Sequence, residues 1–318
     1  MKRKTRFHKL LRCAGMIFLT IVLAAVLALS AAAGISYVRN RDFRETFYEL
    51  TSNKVQGSLR IIQISDLHSV IYDRLLHRVE ILDPDLIVLT GDIVDQKTKD
   101  PAAVVALCEE LTAIAPVYYI YGNHERIRQY GADLMPDQVQ ALAREQSVPE
   151  DQIDFYSLVQ DDLRQQLEAA GVTVLLNRQA TIQAGDTVVD IFGVLTGSFE
   201  GFYTYAEEAY YAYAYENTDH FKLLLLHEPY LTEWIPQENW GDLILCGHTH
   251  GGVARLPGIG GVYESLYGFF PELLQGGKVM GYYEVNDIPM IVSSGLSNRS
   301  FLRINNQPEL VIVDLNHY

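Results

Sequence analysis

DLILCGHTHGG, Asp242 to Gly252, sets two histidines one residue apart, flanked by glycines, directly after an apolar run. Residues two apart on an extended chain point to the same face, so His248 and His250 can aim at one spot where a buried strand ends. That spot is a candidate metal position. It also makes the rest of the chain readable, because four other apolar runs end in polar motifs of the same kind.

These are SDLH (Asp66, His68), GDIVD (Asp92, Asp95), GNHE (Asn123, His124, Glu125) and LHEP (His227). The runs before the first three, LRIIQIS, DLIVLTG and VYYIYGN, are short and β-branched. Helical periodicity separates them at YDRLLHRVEIL and PAAVVALCEELTAI. The order β-α-β-α-β predicts a parallel sheet, and ligands of such sheets gather at the carboxyl ends of the strands. Any one of these motifs alone reads more simply as a turn or a hydrogen-bonded structural histidine. Together they carry five of the nine histidines, while His8, His77, His220 and His317 have no such setting.

Carboxylate, imidazole and amide donors suit manganese, iron or zinc, and the lack of clustered thiols argues against a closed structural zinc site. Two cations held side by side need a shared anionic ligand. Asp92, following the turn-permitting Gly91, is the natural bridge.

Further strands are expected at GVTVLLN, DTVVDIFGV, FKLLLLHEP, DLILCGH, KVMGYYEV, PMIVSSG and ELVIVDL, mostly without long helices between them, which argues for a second, mixed sheet. Residues 126–170 read as a polar, helix-prone insertion. Residues 199–216, FEGFYTYAEEAYYAYAYE, form a tyrosine cluster that suits either a ring-packed excursion or a lid or membrane-facing rim. No internal repeat is evident.

The chain has 318 residues, 48% of them hydrophobic, enough for a substantial core. Its formal charge is −15, and the first 38 residues carry six basic and no acidic side chains, leaving the remainder at −21. A body that acidic disfavours nucleic acid as a partner. Residues 1–12 are basic, and residues 13–38 are uncharged and apolar, longer as a helix than a ~30 Å hydrocarbon core. The charge bias predicts a single-pass anchor of the cell membrane, with residues 1–12 cytoplasmic and everything after Arg39 outside. A cleaved signal peptide is the alternative, with small residues in ALSAAAG at a plausible cleavage point. Residues 39–57 read as a juxtamembrane linker before a folded body at 58–318. Cys13, Cys108 and Cys246 fit no disulfide framework.

With D-x-H, GD-x-x-D, GNH-E, H and GH-x-H present in this order, residues 59–318 resemble the calcineurin-like metallophosphoesterase superfamily; GHTHGG and the late PELVIVDL are similar to its bacterial membrane-associated branch. The resemblance implies an α/β fold, a four-layer α-β-β-α sandwich of two mixed sheets. It implies hydrolysis of phosphoester or pyrophosphate bonds by metal-activated water, on phosphorylated small molecules or lipid-linked or nucleotide-sugar substrates. It further implies that Asp66, His68 and His250 hold one metal and that Asn123, His227 and His248 hold the other, with Asp92 between them. His124 would face the substrate as proton donor or charge stabiliser, Glu125 would orient it, and Asp95 would fix a histidine from behind. The chain departs from the family pattern at Val253, where relatives commonly carry glutamine, and after Val194, where many carry aspartate. A catalytically weak metal-binding or interaction protein on the same scaffold is the competing reading.

Overall fold

In the computed structural model, which describes residues 2–125, 144, 147, 162–195, 213–214, 219–233, 241–297 and 303–318, the apolar N-terminal run is one helix, α1 (Lys2–Arg39). Its segment Arg12–Arg39 is long and apolar enough to cross a membrane, and its most apolar 18-residue stretch buries nothing against the rest of the chain. It is therefore not a core helix. Four residues after it, β1 (Arg44–Ser52) begins. About half of the expected linker is thus a sheet strand, paired in parallel with the C-terminal strand from Arg44↔Glu309 to Ser52↔His317. Its mixed polarity resembles a linker because it is an edge strand, half-buried on alternate residues.

The chain continues through β2 (Ser58–Ile64), α2 (Leu75–Leu82), β3 (Leu86–Thr90), α3 (Ala102–Thr112), β4 (Val117–Ile120), α4 (Asp162–Ala169) and β5 (Thr173–Val174). Then come β6 (Arg178–Ala184), β7 (Thr187–Gly193), β8 (Phe221–Leu225) and β9 (Leu243–Cys246). Two short hairpins follow, β10 (Arg255–Leu256) with β11 (Gly260–Gly261) and β12 (Tyr263–Glu264) with β13 (Gly268–Phe269). A single turn, α5 (Pro271–Gln275), leads to β14 (Gly281–Val285), β15 (Ile288–Val292) and β16 (Glu309–His317).

Two six-stranded mixed sheets result, ordered β1-β16-β2-β3-β4-β5 and β14-β15-β9-β8-β7-β6. β2, β3 and β4 are parallel as expected, β5 adds to β4 in parallel, and β16 joins antiparallel to β2. β5 and β16 therefore belong to the first sheet rather than to the second, where their position late in the chain suggested they lie. β6 was not anticipated, since its sequence RQATIQA lacks a long apolar run.

Period-two alternation builds the layers. In β3, Leu86 and Val88 face the second sheet while Ile87 and Leu89 face α2 and α3; in β8, Leu223 and Leu225 point inward and Leu224 outward. From the expected insertion, α4 packs Leu163 and Leu167 into the helix-side core, and most of residues 126–161 lie outside the described residues. Of the tyrosine cluster only Tyr213 and Ala214 are described. Tyr213 is fully buried on the outer face of the second sheet beside Phe192, and Lys222 donates to its carbonyl (2.8 Å). That tyrosine is core, not rim.

Candidate metal centre

All five polar motifs meet at the carboxyl ends of β2, β3, β4, β8 and β9. The chain must turn sharply there, and it does so in a conformation that side chains usually avoid. Asp66, His68, Asp92, His248 and His250 are five of the fourteen described non-glycine residues with positive φ, at 51°, 44°, 52°, 74° and 48°. Strained backbone of this kind persists only where surrounding contacts fix it. Here Asp66 and His68 donate their amides to the carbonyls of Gly91 and Asp92 (3.0 and 2.9 Å), and the His248 amide meets the Asp66 carboxylate (3.1 Å). Two glycines are required by proximity: a Cβ on Gly91 would strike His227, and one on Gly122 would strike the Asp92 carboxylate.

Two clusters form side by side. In one, Asp66, His68 and His250 have donor atoms within 4.8 Å of one another; in the other, Asp92, His227 and His248 do. His68 Nε2 and His250 Nε2 are 3.1 Å apart, and His250 Nε2 lies 3.6 Å from Asp66 Oδ1. In the second cluster Asn123 Oδ1 sits 3.2 Å from His227 Nε2 and 3.0 Å from His248 Nδ1. Asp92 Oδ2 stands between the clusters, 3.3 Å from His227 Nε2 and 3.7 Å from His68 Nε2. Buried nitrogen and oxygen lone pairs aimed at common points repel unless a proton or cation lies among them, so this donor set fits metal ions. Its mixture of imidazole, carboxylate and amide suits borderline divalent metals.

Electrostatics separates the two clusters. Burial opposes a charge on Asp92, yet His227, then His68 and His124, outweigh it and hold the carboxyl far below the usual range. Burial likewise opposes protonation of His227, but Asp92 prevails and raises its pKa well above that of free imidazole. His227 also donates from Nδ1 to the Thr90 carbonyl (2.7 Å), which directs Nε2 at Asp92. His250 is pressed well below the usual value by burial and by Arg303, and His68 is lowered chiefly by burial.

The three residues expected to act beside the metals take different places. The His124 side chain is about one-fifth exposed at the mouth, with Nε2 4.0 Å from Asp92 and Nδ1 3.6 Å from Asp95; its amide donates to Asp92 Oδ1 (2.8 Å). Asp95 Oδ2 also lies 3.7 Å from His68 Nδ1, so it stands behind two imidazoles. Glu125 does not orient His124. Its carboxylate is buried and accepts the backbone amides of Asp92 (2.9 Å), Gly122 (2.9 Å) and Val94 (3.0 Å), tying the GD and GN turns together. Burial first and Asp92 second push its pKa up to about 7, with the Val94 amide pulling the other way.

Sequence reasoning missed Arg303. Its guanidinium is buried, donates to the Ser294 carbonyl (2.6 Å), and lies 3.1 Å from His250 Nδ1. Nothing in RSFLRINNQ signals this, because the contact spans 53 residues. Asn306, which donates to the carbonyls of His250 (2.7 Å) and Val253 (3.0 Å), was equally hidden. Val253 itself has φ 61°, a costly conformation for a β-branched residue.

The family model described as calcineurin-like phosphoesterase matches residues 59–252. Phosphodiesterase YaeI of Escherichia coli is 26% identical over 264 residues, covering 80% of this chain and 82% of the relative. Metallophosphoesterase YkuE of Bacillus subtilis is 27% identical over 315 residues, covering 91% and 92%. Among solved structures, the phosphopantetheinyl hydrolase PptH of Mycobacterium tuberculosis aligns with TM-score 0.41 and 12% identity over 75% of this chain and 89% of its own.

Proposed function

The chain belongs to the calcineurin-like phosphoesterase family of metal-dependent phosphoester hydrolases, and from that premise we propose a membrane-anchored, two-metal enzyme with its site outside the cytoplasmic membrane. The observation that carries the reading is the position of Asp92 Oδ2 between two clusters of donors, 3.3 Å from His227 and 3.7 Å from His68. Asp66, His68 and His250 would hold one cation, Asn123, His227 and His248 the other, and Asp92 both. Cations held there would supply Lewis acidity toward phosphoryl oxygens and lower the pKa of a bound water, and they would offset a body charge that otherwise repels a phosphate.

The protein's own groups do the rest. His124, at the mouth and hydrogen-bonded through its amide to Asp92, is placed to give a proton to the leaving oxygen, with Asp95 on its far nitrogen. Glu125 keeps the Asp92 and Gly122 amides where the turn needs them. The anchor reading rests on the six basic residues before the apolar span and on the exposure of α1. An enzyme held at a bilayer and similar to the membrane-associated branch suits lipid-linked or nucleotide-sugar phosphates.

The test is turnover by the full chain in detergent, loaded with manganese, of bis(p-nitrophenyl) phosphate and of a panel of phosphomonoesters, nucleotide sugars and lipid pyrophosphates. Metal-dependent hydrolysis of at least one class is expected. Full metal content without turnover on any would favour the non-catalytic scaffold instead. Protease added to intact cells should digest the folded body; digestion only in inverted vesicles would overturn the topology.

A further inference from the structure

Segment 256–277, LPGIGGVYESLYGFFPELLQGG, follows the ligand loop and is not used by the chemistry above. Outside α1, twelve large apolar side chains are exposed among the described residues, and seven of them fall between Leu256 and Leu274. Phe269, Leu273, Leu274 and Leu266 are the most exposed, at 65%, 61%, 63% and 57%. Exposed apolar side chains concentrated in one segment of an otherwise acidic body call for a partner.

The charges of the segment make the surface more apolar still. Its only ionic side chains are Glu264 and Glu272. The Glu264 carboxylate is buried and takes the amides of Leu266 (2.8 Å) and Tyr267 (3.1 Å) and the hydroxyl of Ser265 (2.7 Å). Glu272 takes the Gly261 amide and pairs with Arg255 (2.9 Å). Both acids are consumed inside the hairpins, so hydrocarbon and two aromatic rings, Tyr263 and Phe269 packed edge to face at 5.3 Å, are left facing out.

Position supplies the occupant. The Asn305 amide donates to Ser36 Oγ in the last turn of α1 (2.8 Å) and its side chain donates to the Arg255 carbonyl (3.3 Å), while the Arg255 amide meets the Ile304 carbonyl (3.0 Å). The hairpins therefore abut the end of α1. That end also adjoins Arg44 and Glu309, the residues that start β1 and β16 at the carboxyl-end side of β2, where the metal centre lies. The anchor, the metal centre and the apolar hairpins share one end of the sandwich.

We propose that segment 256–277 is a second, monotopic membrane contact. Its apolar side chains enter the headgroup and upper acyl region of the leaflet that α1 crosses, which holds the mouth of the metal centre at the lipid surface. This rests on the reading of α1 as a membrane anchor. It also deepens the substrate class: a phosphate at headgroup depth reaches the site without its acyl chains leaving the bilayer. Arg255 Nη1 on the Gly251 carbonyl (2.9 Å) and Val262 N on the Gly252 carbonyl (3.2 Å) tie the hairpins to the ligand loop.

The experiment uses the full chain, one copy per phosphatidylcholine–phosphatidylglycerol nanodisc, so that a second copy cannot cover the patch. In a Cys13→Ser background, single nitroxide labels go on Leu273→Cys, on Phe269→Cys as an independent position, on Leu23→Cys inside α1, and on Asp186→Cys in the exposed β6–β7 turn at the opposite end. Collision with oxygen is compared with collision with a water-soluble nickel chelate. The expected result is a several-fold higher oxygen-to-nickel ratio at 269 and 273 than at 186, approaching that at 23. If 269 and 273 match 186 while 23 is lipid-buried, the anchor stands and the second contact is overturned. If 23 is also in water, the anchor reading fails and this inference with it.

Discussion

Glu125→Gln separates building the site from acting in it. Glu125 Oε2 accepts two amides, of Asp92 and Gly122 at 2.9 Å each, and Oε1 accepts that of Val94 at 3.0 Å. Glutamine keeps one carbonyl oxygen for the first pair, as a neutral rather than charged acceptor, and turns its amide nitrogen against the Val94 N–H. One buried donor left unmatched costs about 1–3 kcal/mol, and weakening two charge-assisted bonds adds about 1–2 kcal/mol, for a total of about 2–5 kcal/mol. In a folded body of this size each kcal/mol moves Tm by about 2–4 °C, so a drop of about 10 °C is expected. The comparison belongs at pH 8, where the wild-type carboxyl is ionised, since burial and Asp92 raise it to about 7. Scanning calorimetry of the metal-free full chain in detergent reads the drop. Elemental analysis with initial rates then gives turnover per bound metal, which should change little. An unchanged Tm with a hundredfold fall in rate at full metal content would refute this and restore Glu125 as the residue that orients His124.

Three other outcomes follow from the same geometry. Asp92→Asn and His248→Ala should each lose both bound metal and activity by elemental analysis and rate, because Asp92 faces both clusters and His248 shares Asn123 with His227. His124→Ala should keep its metal and lose roughly 10²–10⁴-fold in rate, the worth of a positioned proton donor, and metal loss in that variant would remove the assignment. Metal binding near neutral pH should release a proton, because Asp92 holds His227 protonated well above the usual imidazole value in the metal-free protein. Affinity should therefore rise with pH by about tenfold per unit until His227 is neutral, and calorimetry in buffers of different ionisation heat reads the released proton directly.

What the sequence made legible was whatever is local. A strand-end motif such as GHTH carries its own geometry, because alternation aims His248 and His250 and the glycines permit the turn, so the motifs alone singled out the residues that the fold brings together at the strand ends. The three parallel strands β2, β3 and β4 were legible for the same reason. Long-range partners were not: β16 slips between β1 and β2, a pairing across 254 residues that shows only in contacts such as Arg60 with Asp314. Glu125 was misread because its neighbour His124 is the more conspicuous group, while its real partners are main-chain amides 31 and 33 residues back. The apolar hairpins escaped notice because glycine and proline break up their periodicity, and only the turned-in carboxylates of Glu264 and Glu272 make the surface coherent.

The same contacts leave little slack between α1 and the metal centre. α1 ends at Arg39, and β1 starts at Arg44 with the side chain of Arg44 on Glu309 (2.7 Å), so the tether is four residues long. Even those four are held. Asn40 donates to the Arg303 carbonyl (2.6 Å), Gln307 to the Asp42 carbonyl (3.2 Å), and Arg74 pairs with Asp42 (2.5 Å). Arg303 is at once the residue that Asn40 grips and the one whose guanidinium meets His250. Burial lowers its pKa only to about 10, so it stays cationic at neutral pH. Burial, together with the positive charge fixed there, discourages a second proton on His250 and keeps that imidazole neutral. The end of the apolar helix and the donor set are therefore one packed unit. A bilayer around α1 would sit at a distance from the donors set by packed side chains, not by a flexible linker, which is the geometry an enzyme needs if its phosphate arrives embedded in lipid.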